Sequence, residues 1–197
     1  MTNSKLIRRI TATAMLSALV VVFQFIGNQI MIGPVSINLS LIPIALGAIM
    51  YGPLVGLFLG LLNGALVLLG PGMSIFYDIN IPLTVILCLA KTGIAGFVSG
   101  LLFKLFQRNS KLQTIGMVVC SLIIPVINTG LYVVACYTVF RSIVGTLISI
   151  FLLWNFLFEF TASIILAPAI INVIKVSTKN YDIGDDIVKF EETKENE

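Results

Sequence analysis

Between Ile10 and Phe103 the sequence has only two side chains charged at neutral pH, Asp78 and Lys91. The remaining basic residues, Arg141 excepted, gather in short clusters beyond the apolar runs. An Asp, Lys or Arg at the centre of a spanning helix costs about 2.5–3.5 kcal/mol on insertion scales, so charges retreat to helix ends unless a function holds them inside. The pattern belongs to a chain that folds in a lipid bilayer. It also marks Lys91 as the residue that needs an explanation.

Of the 197 residues, 58% are apolar and 11% charged, against about 45–50% and 25% in soluble domains. The net charge of +3 is divided among small clusters flanking hydrophobic runs. No basic face interleaved with aromatics is present to track phosphates, so no nucleic-acid partner is expected. Cys88, Cys120 and Cys136 all fall inside apolar runs, which makes them reduced core residues rather than disulfides or metal ligands. The chain has no His, and no metal, cofactor or catalytic residue is expected. Basic Lys5, Arg8 and Arg9 precede an apolar stretch to Met31 that is longer than a signal peptide's apolar segment and lacks a small-residue cleavage site. It reads as a retained first span.

Apolar runs cover residues 10–31, 41–50, 54–69, 83–106, 114–139 and 144–174, divided by Gly33-Pro34, Gly52-Pro53, the Gly70-Pro71-Gly72 loop and two polar connections. The second and third runs are too short, at about 1.5 Å per residue, to cross a hydrocarbon core of roughly 30 Å alone. The distribution of Lys and Arg decides how to count them. With six passes the N-terminus, the Lys104/Arg108/Lys111 loop and the Lys175/Lys179 end all face the cytoplasm, leaving only Arg141 outside. Five passes would turn two basic clusters outward. The predicted architecture is therefore an all-α, six-helix transmembrane bundle over residues 1–179, with cytoplasmic N- and C-termini and short helices 2 and 3. Residues 180–197 are expected to form a disordered cytoplasmic tail.

Short helices in a bilayer need sheltered ends, which points to a cavity rather than a sealed bundle. Ser40 is the expected N-cap of helix 2, putting Pro43 in its first turn, where a missing N–H breaks no intrahelical bond. Pro125 and Pro168 fall inside helices 5 and 6 and are expected to bend them.

Counted inward from the predicted outer ends, Asn63 lies about 9 Å deep, Lys91 about 12 Å, Asn128 and Asn155 about 16 Å, and Glu159 about 22 Å. Asn155 and Glu159 are four residues apart and share a helix face, as do Asn128 and Tyr132. These groups either line a ligand pocket, or serve as a structural Lys91–Glu159 ion pair with interhelical amide hydrogen bonds. The connection from Gly70 to Pro82 carries Phe76, Tyr77, Asp78 and Asn80, which form either a lid over a bound solute or an interfacial aromatic anchor with an ordinary turn. Trp154 reads as packing or belt. The candidate solute-binding set is Asn63, Tyr77, Asp78, Asn80, Lys91, Asn128, Tyr132, Asn155 and Glu159.

Ala14 and Ala18 form a small-xxx-small pair on the first helix, a surface that another helix can approach closely. No Walker signature or phosphate-cradling glycine loop occurs, so the chain does not itself hydrolyse ATP.

Several pieces together resemble the substrate-binding S components of energy-coupling factor (ECF) vitamin importers. They are the six-helix length, the Ala14, Met15, Leu16, Ser17, Ala18 segment, the block from Pro43 to Gly56 with its Gly-Pro-x-x-Gly turn, the glycine-rich helix after Lys91, and Pro125 to Gly130. The likeness covers roughly residues 5–179. It implies a high-affinity substrate-binding subunit in the bacterial plasma membrane that takes up a water-soluble vitamin. It further implies that Ala14 and Ala18 meet a membrane-embedded coupling subunit, that two cytoplasmic ATPases supply the energy, and that outer loops enclose the solute.

A single buried cation among amides and hydroxyls suits a small solute with a carboxylate, such as pantothenate, ahead of a flat heterocycle such as riboflavin that Phe76, Tyr77, Tyr132 and Trp154 could stack upon. The alternative is a self-contained carrier or channel using Lys91 and Glu159, though the inner halves of helices 3, 4 and 5 offer no continuous polar path. An intramembrane enzyme finds no nucleophile–base arrangement in the sequence.

Overall fold

The computed structural model describes residues 3–32, 35–70, 73–106, 110–138, 151, 153–165 and 172. The chain runs through α1 (Asn3–Gln29), a pair of two-residue strands β1 (Met31–Ile32) and β2 (Val35–Ser36), α2 (Leu41–Tyr51) and α3 (Pro53–Leu68). It continues through the one-turn α4 (Ser74–Tyr77), α5 (Ile81–Phe106) and α6 (Ser110–Thr138). The last described helix is α7 (Leu153–Ile165). The architecture is all-helical, with six helices longer than one turn among the described residues. Three stretches, Arg9–Gln29, Ile81–Phe106 and Leu112–Thr138, are long and apolar enough to cross a membrane. Pro168, Arg141 and the tail over 180–197 lie outside the described residues.

The first helix starts earlier than its apolar run, taking in Arg9, whose Nη2 donates to the Tyr51 carbonyl at 2.8 Å and ties α1 to the end of α2. It also stops two residues short of the run. Met31–Ile32 turns back to pair antiparallel with Val35–Ser36, a small hairpin that the apolar run concealed.

Gly52 separates α2 from α3 with φ +91° and ψ −179°, a conformation open essentially to glycine alone. Pro53 follows at the first position of α3, where its missing N–H costs nothing. That turn lets α2 and α3 fold back on one another and lie against α5.

The α3–α5 contact is unusually close. A side chain on Gly56 or Gly60 would run into the carbonyls of Gly96 and Thr92, and one on Gly64 into that of Cys88. Glycine at every fourth position thus brings two backbones together over three turns, gaining dispersion contact that a larger residue would forbid. The central core, with Val20, Ile44, Leu59, Ile124 and Cys120 fully buried, fills the space between α1, α2, α3 and α6. A second cluster of Val67, Met73, Phe76, Cys88, Tyr132 and Cys136 lies at the far end of α3 and α5. All three cysteines are free and buried.

Outward-facing Met15, Val22, Phe25, Leu54, Ile86, Leu105, Val134 and Ile165 are exposed. So broad an apolar surface is stable against lipid tails and not against water. α6 continues through Pro125, which is fully buried, and the Ser121 hydroxyl one turn earlier bonds the Met117 carbonyl at 2.8 Å.

Candidate functional site

Ser40 occupies the N-cap position of α2 but makes no cap bond. Its hydroxyl turns inward instead, among the side-chain amides of Gln24 (2.9 Å), Asn38 and Asn63. A serine oxygen has one proton to give, so one amide accepts it and the others turn an N–H toward the oxygen. Asn63 is fully buried in this knot and reaches Asn38 at 3.4 Å.

Directly against the knot is a cavity lined by Gln24 of α1, Ser36 and Asn38 of the hairpin segment, Val67, Met73, Lys91 of α5, Asn128, Thr129 and Tyr132 of α6, and Asn155 and Glu159 of α7. Five of the expected residues therefore meet: Lys91, Asn128, Tyr132, Asn155 and Glu159. The cavity lies at the end of the bundle opposite Arg9 and Lys104, and its volume is about 30 Å³, room for a water or two.

Lys91 and Glu159 are each about 95% buried, and no direct ion pair joins them among the described contacts. The Lys91 ammonium lies over the Tyr132 ring, 4.6 Å from its centroid. Glu159 instead accepts from the Asn38 backbone N–H (3.1 Å), from the Thr129 hydroxyl (3.3 Å) and from the Asn128 side chain. Opposite charges on separate walls of one cavity, each lacking the other, differ from a structural ion pair. The unpaired polar atoms fall in the same place. Asn128 Oδ1, Asn155 Oδ1 and Asn38 Nδ2 are buried without hydrogen-bond partners, a costly arrangement that functional sites retain.

The hairpin is strapped across the cavity by α7. Asn155 Nδ2 donates to the Ser36 carbonyl at 3.1 Å, and Glu159 holds the Asn38 N–H two residues on. Ser36 also reaches Asn28, which Gln24 bonds at 2.9 Å. The hairpin and α7 thus close one side of the cavity together.

Four expected residues lie elsewhere. Tyr77 gives its hydroxyl to the Leu68 carbonyl, fastening α4 to the end of α3. Asp78 and Asn80 are exposed on the turn between α4 and α5, and Asn80 caps α5 by accepting the Leu83 N–H at 3.1 Å. Asn63 sits one layer behind the cavity. The 70–82 connection contributes Met73 to the wall and sends Phe76 against Tyr132, centroids 5.6 Å apart. Gln24, Ser36, Asn38 and Thr129 were not anticipated. Their signal was present in Gln24 and Asn28 one turn apart near the end of α1, and in polar Ser36, Asn38 and Ser40 alternating ahead of α2.

No match was found among curated proteins or among solved structures. The family described as the ECF transporter, substrate-specific component, matches the chain over residues 8–174. That range takes in all or most of each described helix and each wall of the cavity, and the family's function, binding a substrate for transport across a membrane, agrees with long apolar helices around a buried polar hollow. The chain belongs to the substrate-specific components of ECF transporters.

Proposed function

We propose that this chain is the high-affinity binding subunit of an ECF-type ABC importer for a water-soluble vitamin or related micronutrient. One observation supports the reading: two opposite buried charges and four side-chain amides, drawn from α1, α5, α6, α7 and the hairpin segment, converge on one cavity in an otherwise apolar bundle. The cavity faces outward and the basic ends face the cytoplasm, so both termini are cytoplasmic. Lys91, Asn128, Tyr132, Asn155 and Glu159 hold the solute, joined by Gln24 and Asn38.

A pantothenate-like carboxylate is favoured over a riboflavin-like heterocycle. Phe76 leans on Tyr132, Trp154 is half exposed, and the Tyr132 face carries the Lys91 ammonium, which leaves no free pair of rings to sandwich a flat ligand. Below the cavity, Val20, Ile44, Leu59 and Ile124 close the core. This disfavours a self-contained carrier or channel and favours release driven by partners. Ala14 and Ala18 are exposed on α1 and form the docking face for the membrane coupling subunit, with two cytoplasmic ATPases supplying the energy.

The test is mass spectrometry of small molecules released from the purified chain, together with copurification of the ATPases from its native host. A tightly held small solute and associated ATPases are expected. A solitary, unliganded, ion-conducting protein refutes the reading.

A further inference from the structure

The two charged walls of the cavity constrain the solute beyond its carrying a carboxylate. Lys91 and Glu159 sum to zero charge, so a lone anion entering between them would leave a net negative charge in a low-dielectric interior, where an uncompensated charge is strongly disfavoured. A solute with both charges preserves neutrality. The acceptors are distributed accordingly. Asn155 commits its N–H to the Ser36 carbonyl and Asn128 turns its side chain to Glu159, which leaves Asn128 Oδ1 and Asn155 Oδ1 unpaired and buried beside the Glu159 carboxylate. Three oxygen acceptors from two helices match the three N–H bonds of a primary ammonium. On the other wall Lys91 has three donors and, among the described contacts, no hydrogen bond or ion pair, its ammonium resting over the Tyr132 ring. It needs an anionic acceptor.

We propose that the cargo is a small zwitterion, with a primary ammonium bound by Glu159, Asn128 and Asn155 and a carboxylate bound by Lys91. This rests on the reading of the chain as a solute-binding subunit and departs from it in one respect, replacing the pantothenate-like monoanion with a zwitterion. Entry of such a solute competes with the Asn38 N–H for the Glu159 carboxylate, while Asn155 keeps its N–H on the Ser36 carbonyl.

The test uses the purified full-length chain in detergent. Unbranched ω-amino acids from glycine to 6-aminohexanoate are the probes, with butyrate and butylamine as single-charge controls, read by thermal shift and calorimetry. At least one zwitterion is expected to bind roughly ten- to a hundredfold more tightly than either control. Glu159→Gln is expected to shift preference toward butyrate, and Lys91→Met toward butylamine; a merely structural role for either residue would lower affinity for every probe alike. Binding of butyrate equal to the best zwitterion, or no response to any zwitterion, overturns the proposal. The first outcome leaves the transport reading intact, whereas failure of that reading shows separately, as absence of any associated ATPase.

Discussion

Replacing Lys91 by Met removes the ammonium while keeping an unbranched side chain one heavy atom shorter. On the folding side, the loss is its contact with the Tyr132 ring at 4.6 Å, worth about 2 kcal/mol when desolvated. Against this, burying an ammonium costs several kcal/mol even after relaxation, on the order of the gain or larger. Glu159 keeps its hydrogen bonds from Asn38, Thr129 and Asn128 and, with its counter-charge gone, takes up a proton so that no uncompensated charge stays buried. The variant is therefore expected to melt within a few degrees of the parent. On the binding side, a charge-assisted hydrogen bond to the solute disappears, about 1.5–3 kcal/mol, which converts to a roughly ten- to 150-fold weaker dissociation constant. Titration calorimetry with the solute released from the parent protein measures the second quantity, and a thermal melt in the same detergent measures the first. Parental affinity combined with a large fall in melting temperature would show that Lys91 holds the bundle together, and would refute the binding role.

Ala14→Trp, on the exposed face of α1, is expected to leave solute affinity unchanged and to abolish uptake by cells; normal uptake discredits the docking face. Gly60→Val forces a branched side chain into the Thr92 carbonyl, and a loss of about 1–3 kcal/mol from overpacking is expected in denaturation. An unchanged melting curve would mean that α3 and α5 do not meet as described. Asp78→Ala, on the exposed turn before α5, is expected to bind solute as the parent does, and a tenfold loss would return the 70–82 connection to the site.

The membrane character of the chain and its helix runs were legible because hydrophobic length and charge exclusion are local properties that the bilayer enforces residue by residue. The Gly52-Pro53 turn was legible for the same reason, since a positive φ followed by a fixed φ leaves few alternatives. Lys91 and Glu159 were legible as costly insertions, and Asn128 and Asn155 as polar groups at comparable depth. Depth alone could not separate Asn63, which points into the Ser40 knot, from Asn128, which reaches the cavity; that difference depends on helix rotation, set by packing across α3 and α5. Tyr77, Asp78 and Asn80 were ambiguous in the sequence because a polar aromatic loop suits a lid as well as it suits the helix cap and the fastening that Asn80 and Tyr77 form. The hairpin was invisible because its strands, Met31–Ile32 and Val35–Ser36, are two residues each and apolar enough to prolong the helix before them.

Because α3 and α5 touch backbone to backbone at three successive glycines, they form a stiff jaw that cannot part without losing contact along its whole length. The facing side is a light latch, two side chains of α7 gripping the hairpin at the Ser36 carbonyl and the Asn38 N–H. The same Asn155 and Glu159 also face the hollow. Any change at Glu159 therefore alters the latch and the hollow together, whereas Asn155 grips the hairpin with its N–H and keeps a separate atom, Oδ1, without a partner.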